Sequence, residues 1–172
     1  FLHRARYTAI PGNFGITYNF FRSLRSVVDQ FRPSEIFFVL EGKPQIRLAQ
    51  SPLYKANRGQ VDSPEFRSFL KQKQEIIEIL QRYFPISVVR HPNYECDDVI
   101  ANIVRYPSHV GINEESTFVV VSGDSDFIQL HDKHENVILY HPIKKEMIGR
   151  WETDYVTWKS LRGDKTDNVK GL

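Results

Sequence analysis

The sequence predicts an α/β domain with a mainly parallel central sheet flanked by helices, and three observations carry that expectation. Short apolar runs suited to buried strands recur at residues 35–40, 86–89, 117–122 and 136–140. Segments with apolar residues at helical spacing lie between several of them. The alternation of the two kinds, strand then helix, is the pattern of parallel sheets joined by helical crossovers.

Taken in order, Tyr18, Phe21, Leu24 and Val28 recur every three or four residues and predict an amphipathic helix over 15–30. Pro33 ends it, and Glu35-Ile-Phe-Phe-Val-Leu40 follows as a strand. Residues 50–62 have no apolar periodicity and carry Pro52, Lys55, Arg58 and Gly59, which predicts a mobile connector or surface loop. Phe66, Phe69, Leu70, Ile76, Ile77, Leu80 and Tyr83 predict a long helix over about 64–84. A strand at 86–89 leads to a shorter helix after Asn93 carrying Val99, Ile100 and Ile103. Phe118–Val121 runs straight into Asp124-Ser-Asp126, and a helical stretch with Phe127, Ile128 and Leu130 begins there. After the strand at 136–140, Tyr155, Trp158 and Leu161 mark a last helix. There is no internal repeat.

At 172 residues, 41% of them hydrophobic, the chain has enough apolar side chain for one domain, or one domain and part of another. No run of about 18 apolar residues occurs, so no membrane-spanning helix is expected. The single cysteine, Cys96, excludes an intramolecular disulfide and a cysteine-rich zinc site, and is read as a small buried hydrophobe. His131 and His134 are spaced like zinc ligands but lack partners, and are expected to be exposed at a helix end. The chain opens at Phe1 without methionine and stops just after Gly171, which reads as a fragment.

A net charge of +2 conceals local concentration. Glu95, Asp97 and Asp98 open the helix after the 86–89 strand; Asp124 and Asp126 follow the 117–122 strand; Asp164 and Asp167 flank a Gly-led turn. Each cluster has a purely structural explanation. Aspartate caps helix N-termini and turns well, and first-turn acids are favoured by the helix dipole. Seven carboxylates in three tight groups repel one another, however, and divalent cations relieve that repulsion. If the two preceding strands are parallel neighbours, their C-terminal ends bring the acids to one rim, where ligands bind in open α/β sheets. An all-oxygen ligand set selects hard ions, Mg²⁺ or Mn²⁺, over zinc. Paired ions of this kind serve phosphoryl chemistry. Lys43 and Arg47, then Tyr54-Lys55-Ala-Asn-Arg58, place a basic arm ahead of the acids, suited to steering a polyanion. Arg67, Lys71 and Lys73 are read as a solvated helix face.

These residues, in order and over nearly the whole chain, resemble the 5′ nuclease/flap endonuclease family, especially the 5′→3′ exonuclease domain of bacterial DNA polymerase I and its phage relatives. "YECDDVIANI" resembles the family's Glu-Ala-Asp-Asp-Val-Ile helix start, with Cys96 in the alanine's place. "VVSGDSDFIQL" is similar to its strand followed by Gly-Asp-x-Asp-x-x-Gln-Leu, and "LRGDKTDNVKGL" to the Gly-Asp-x-x-Asp-Asn-x-x-Gly that opens its helix–three-turn–helix element. "YKANR" resembles the Tyr-Lys-x-x-Arg at the base of the helical arch that admits a 5′ single strand.

The resemblance implies a PIN-like nuclease domain over 1–161, its arch at about 50–84, with 162–172 beginning a helix–three-turn–helix. It implies a monomer that cleaves DNA bearing a 5′ flap or 5′ end, in the cytoplasm of a cell or of a virus-infected host. By the same resemblance Glu95, Asp97, Asp98, Asp124, Asp126, Asp164 and Asp167 hold two Mg²⁺ or Mn²⁺ ions, with Asp97 and Asp124 directly in catalysis. Lys55 and Arg58 act with them and grip the incoming strand, and Arg4, Lys43, Arg47 and Tyr54 join the DNA contacts. The family's first metal-binding aspartate would precede Phe1, and its Asp-Gly-Lys reads Glu41-Gly42-Lys43 here, which makes Glu41 a neighbour of the metal site. Two other readings compete: a branched-DNA-binding relative without catalysis, and a Mg²⁺-dependent phosphatase. The phosphatase needs an early Asp-x-Asp, and the only one here stands at 124–126.

Overall fold

The computed structural model describes residues 15–57, 59 and 62–172. They fall into two compact units. The first holds described residues 15–38 and 62–89, the second 39–59 and 90–172.

The first unit is built on α1 (Gly15–Phe31) and α3 (Pro64–Tyr83), with β1 (Phe37–Leu40) beginning and β2 (Ser87–Arg90) closing its strand pair. Ser63 caps α3 by accepting from Phe66 N at 3.2 Å, and Pro64 sits where a missing N–H costs nothing. Buried Gln72 reaches from α3 to the start of α1, its Oε1 accepting from Ile16 N at 3.2 Å and Thr17 N at 3.4 Å. Two orphan amides of a helix N-terminus are thereby satisfied inside the core. The core itself is Ile16, Phe20, Phe69, Ile76 and Leu80, with Phe38 edge-on to Phe20 at 5.5 Å. The predicted apolar face of α1 is shifted: Ile16 and Phe20 are buried, whereas Tyr18 is 58% exposed. A tyrosine can carry its ring on the solvent side, and spacing alone does not tell which of two overlapping stripes faces inward.

In the second unit α2 (Gln45–Gln50) follows β1, and α4 (Cys96–Arg105) follows β2. β3 (Phe118–Val121) leads through a 3₁₀ turn at Ser125–Phe127 into α5 (Ile128–Lys133). β4 (Val137–His141) runs parallel to β3, with Phe118 opposite Val137 and Val121 opposite Tyr140. β5 (Glu146–Ile148) then folds back antiparallel on β4. α6 (Tyr155–Arg162) ends at Gly163, whose φ of 72° suits only glycine. Gly163–Asp164 (β6) and Val169–Lys170 (β7) pair antiparallel around the turn between them. Val104, Val120, Phe127, Ile128, Leu130, Val137, Leu139 and Tyr155 form this unit's core.

The α/β character and the strand–helix alternation are as expected. Among the described residues, β2 and β3 are not ladder neighbours: β2 pairs with β1, and β3 with β4. The acids that follow β2 and β3 are therefore gathered by the turns and helix starts of the second unit, not by adjacency of their strands. His131 and His134 are partly buried at the end of α5, not exposed, because that short helix packs its last turn against the unit.

Candidate active site

The site lies wholly within the second unit and is built on three turns. The first precedes α4. Gly42 lies against it so closely that a Cβ would stand 2.0 Å from the His91 carbonyl oxygen and 2.3 Å from that of Tyr94. Lys43 N donates to Pro92 O at 3.0 Å and Gln45 N to Asn93 O at 3.3 Å, docking the Glu41-Gly-Lys turn there. Glu41 Oε2 then accepts from Cys96 N at 3.4 Å. Glu95 is the N-cap of α4 and Asp98 its third residue; each side chain accepts from the other's backbone amide, a capping box.

Capping uses only part of these carboxylates. Glu95 is 3% exposed, and such burial is tolerable because three donors surround it. Arg47 Nη1 gives to Oε2 at 2.8 Å, the Tyr54 hydroxyl gives to Oε2 at 2.9 Å, and the Lys55 ammonium pairs with Oε1. Arg47 also grips Asp98 two-pronged, at 2.6 Å to each oxygen. That bond to Asp98 drives the guanidinium pKa above its ordinary value. Burial, then Glu95, does the same for the Tyr54 hydroxyl. Asp167 Oδ2 lies 3.1 Å from that hydroxyl and 3.8 Å from Lys55 Nζ.

The second turn follows β3. Asp124 caps it, accepting from Asp126 N at 3.0 Å, while Ser122 Oγ accepts from Asp124 N at 3.1 Å. The third follows α6, where Asp164 Oδ1 accepts from Thr166 N at 2.8 Å and Asp167 N at 3.2 Å. Lys159, in the last turn of α6, ties the two together, 2.9 Å from Asp126 Oδ1 and 2.7 Å from Asp164 Oδ2. It holds the Asp164 carboxyl below the usual range. Local capping and charge pairing are thus both real for these aspartates.

A different environment surrounds Asp97. Among the described residues no lysine or arginine pairs with Glu41, Asp97 or Asp124. Burial pushes the Asp97 pKa up to about 6, with the charges of Asp124, Glu41 and Glu95 adding to it; a hydrogen bond from the Cys96 thiol at 3.3 Å opposes them. Burial also raises the Cys96 thiol, so it stays protonated and donating.

With a pKa raised from 3.8 to about 6, Asp97 binds its proton more readily folded than unfolded. Its contribution to stability is complete below about pH 4 and lost as pH climbs through about 6. At pH 7.5 in EDTA, Asp97→Asn should therefore raise the thermal midpoint by a few degrees. That corresponds to about 1–2 kcal/mol once solvent screening is allowed for. Thermal unfolding of the two proteins at pH 7.5 and pH 4 checks it. A lower midpoint in the variant at pH 7.5 would contradict this reading.

The predicted residues therefore sort into three groups. Glu95, Asp98 and Asp167 are held with Arg47, Tyr54 and Lys55; Asp126 and Asp164 are joined through Lys159; Asp97 faces the charges of Asp124 and Glu41. Lys43 is exposed and without an ion pair among the described residues. Arg4 and Arg58 lie outside the described residues. Arg47, Lys55 and Lys159 pair with five of the seven acids, three positive charges against five negative ones, so basic side chains relieve part of the repulsion that divalent cations were expected to relieve. Lys159 was missed; its signal was a basic residue in the last turn of a helix leading into an acidic turn.

Among the described residues, no three acidic, histidine or cysteine side chains converge as a ready ligand set. The donor chemistry nonetheless fits a hard divalent cation at Asp97, where oxygen ligands and uncompensated charge coincide. Glu95, Asp98, Asp126, Asp164 and Asp167 already pair with basic side chains.

A family model described as "5'-3' exonuclease, N-terminal resolvase-like domain" matches residues 3–159. The chain is 35% identical over 126 residues to Ribonuclease H of Enterobacteria phage T4, covering 69% of this chain and 39% of that protein. It is 30% identical over 171 residues to DNA polymerase I of Treponema pallidum (strain Nichols), covering 93% of this chain and 16% of that one. Among the solved structures that share the fold are two of T5 proteins. The T5 5′-exonuclease with divalent metal ions (zinc) bound has a TM-score of 0.78 at 20% identity, over 99% of this chain and 66% of its own. The bacteriophage T5 flap endonuclease, in a pseudo-enzyme–product complex with DNA and metal ions, has a TM-score of 0.75 at 19% identity, over 97% of this chain and 65% of its own.

Proposed function

Since the chain belongs to the 5′-3′ exonuclease N-terminal, resolvase-like domain family, we propose that it is the nuclease domain of a structure-directed 5′ nuclease. It hydrolyses phosphodiesters of DNA at 5′ ends or flaps and depends on Mg²⁺ or Mn²⁺. The observation that carries the reading is the charge around Asp97: the charges of Asp124 and Glu41 reach it and raise its pKa, and among the described residues none of the three has a basic partner, beside acids that have one. A site meant only for stability would have paired them too, and a site meant only to bind DNA has no use for charge that repels phosphate.

In this reading Asp97 and Asp124 hold the first divalent cation, with Glu41 beside them. Glu95, Asp98, Asp126, Asp164 and Asp167 would complete the acidic ligand set. When bound, such ions activate water and stabilise the departing oxygen of the phosphodiester. Arg47, Lys55 and Lys159 stabilise the acids by pairing with them; Lys55, with Arg58 nearby in sequence, would meet the phosphates of the incoming strand. The Cys96 thiol orients the Asp97 carboxylate by donating to it.

The test is a labelled 5′-flap substrate offered to the full-length protein in Mg²⁺, in Ca²⁺ and in EDTA. Cleavage in Mg²⁺ alone, with binding retained in Ca²⁺, is expected. Binding without cleavage in every ion would establish the non-catalytic reading instead. Lys55→Ala and Arg58→Ala should each lower the salt dependence of binding, by roughly one in slope for every phosphate no longer gripped. An unchanged slope in both would remove them from the DNA path.

A further inference from the structure

The Tyr54–Asn57 segment carries two residues of the site, yet nothing apolar anchors it. Leu53 is 67% exposed, and no described residue of 51–59 is buried. The Asp164–Asn168 turn is in the same position, with no buried residue of its own. Beside the bonds of Tyr54 and Lys55 to Glu95 and of Lys159 to Asp164, the two hold one another. The Asn57 side-chain amide donates to Lys165 O at 2.9 Å, and the Asn168 side-chain amide donates to Leu53 O at 2.9 Å. Between them Lys55 N donates to Asp167 O at 3.0 Å. Two asparagines more than a hundred residues apart thus each satisfy a main-chain carbonyl of the other's turn.

The backbone agrees. Lys55 has φ 56° and Asn168 has φ 58°. Asparagine tolerates that left-handed conformation; lysine adopts it only where the surroundings impose it. Here the imposing contact is the Lys55 N–Asp167 O bond, framed by the two amides. With that geometry the Lys55 ammonium meets Glu95, and the Tyr54 hydroxyl stands between Glu95 and Asp167.

We infer that Asn57 and Asn168 are positioning residues, a reciprocal amide clamp that locks the two turns together and so sets where Tyr54 and Lys55 stand over the acids. The inference deepens the nuclease reading and rests on it for its catalytic consequence. The clamp itself is a matter of structure alone. It makes the turn at 164–168 and the segment at 53–57 move as one, so that a ligand gripping either is felt at Glu95.

The experiment uses full-length protein with Asn168→Gly, which keeps the left-handed backbone but drops the amide, together with Asn57→Ala, the double variant, and Asn57→Gln. Hydrogen exchange at 53–57 and 164–168, in EDTA and without DNA, should accelerate about 5-fold in each single variant, the worth of one ordinary hydrogen bond. Exchange in α4 and β3 should be unchanged. In flap cleavage kcat should fall about 10-fold in the double variant, with KM rising as Lys55 loses its place over the phosphates, and Asn57→Gln should shift each less than Asn57→Ala does. Exchange unchanged in the double variant, or faster exchange with kcat unmoved, would overturn the inference. A wild-type protein that never cleaves flap DNA would sink the nuclease reading instead, and the exchange data would still decide whether the clamp exists.

Discussion

Asp124→Asn and Asp97→Asn are each expected to abolish nearly all flap cleavage, by at least about 10²-fold in kcat, while leaving binding of branched DNA in Ca²⁺ within a few-fold of wild type. A carboxylate that holds a cation stabilises charge developing in the transition state, and a preorganised group of that kind contributes little to ground-state affinity. Asparagine keeps the shape and the turn-capping oxygen, so Asp124→Asn preserves the bond from Asp126 N that forms the 3₁₀ turn. Single-turnover cleavage in Mg²⁺ beside equilibrium binding in Ca²⁺ separates the two effects. Variants that cleave within a few-fold of wild type would remove these two aspartates from catalysis.

Glu95→Gln is expected to do the opposite of Asp97→Asn to the metal-free protein. Glu95 is the hub of Arg47, Tyr54 and Lys55, and neutralising it leaves two cations facing an amide. Removing one partner of a buried pair costs about 3–5 kcal/mol. Arg47 and Lys55 are 42% and 20% exposed, so part of their charge returns to water and about 2–3 kcal/mol is the better figure. For a chain of this size that lowers the thermal midpoint by roughly 5–10 °C. If Glu95 were one more repelling acid awaiting an ion, its neutralisation would raise the midpoint instead. Calorimetric midpoints of wild type, Glu95→Gln and Asp97→Asn in EDTA therefore sort the acids into paired and unpaired.

The sequence made some of this plain and hid the rest for physical reasons. β3 and the acids at its end were legible because four apolar residues, then Asp-x-Asp, leave few other readings. The start of α4 was legible because Glu95 and Asp98 at the N-cap and third positions satisfy each other's amides locally. Partners distant in sequence were not. Arg47 and Tyr54 looked like phosphate contacts, and nothing in their neighbourhood says that Glu95, more than forty residues on, is closer. Lys159 belongs to an ordinary helix until the turn after it folds back. The short β5 escaped because three residues, Glu-Met-Ile, carry no period, and Tyr18 misled because an aromatic ring fits either side of an amphipathic helix.

If the unpaired charge at Asp97 seats a divalent cation, as proposed, calorimetric titration of Mn²⁺ into the full-length protein, wild type against Asp97→Asn and Asp124→Asn, tests it most directly. Saturable binding in wild type, with at least one site lost in both variants, is the expected result. Binding of equal affinity and stoichiometry in all three proteins would contradict it.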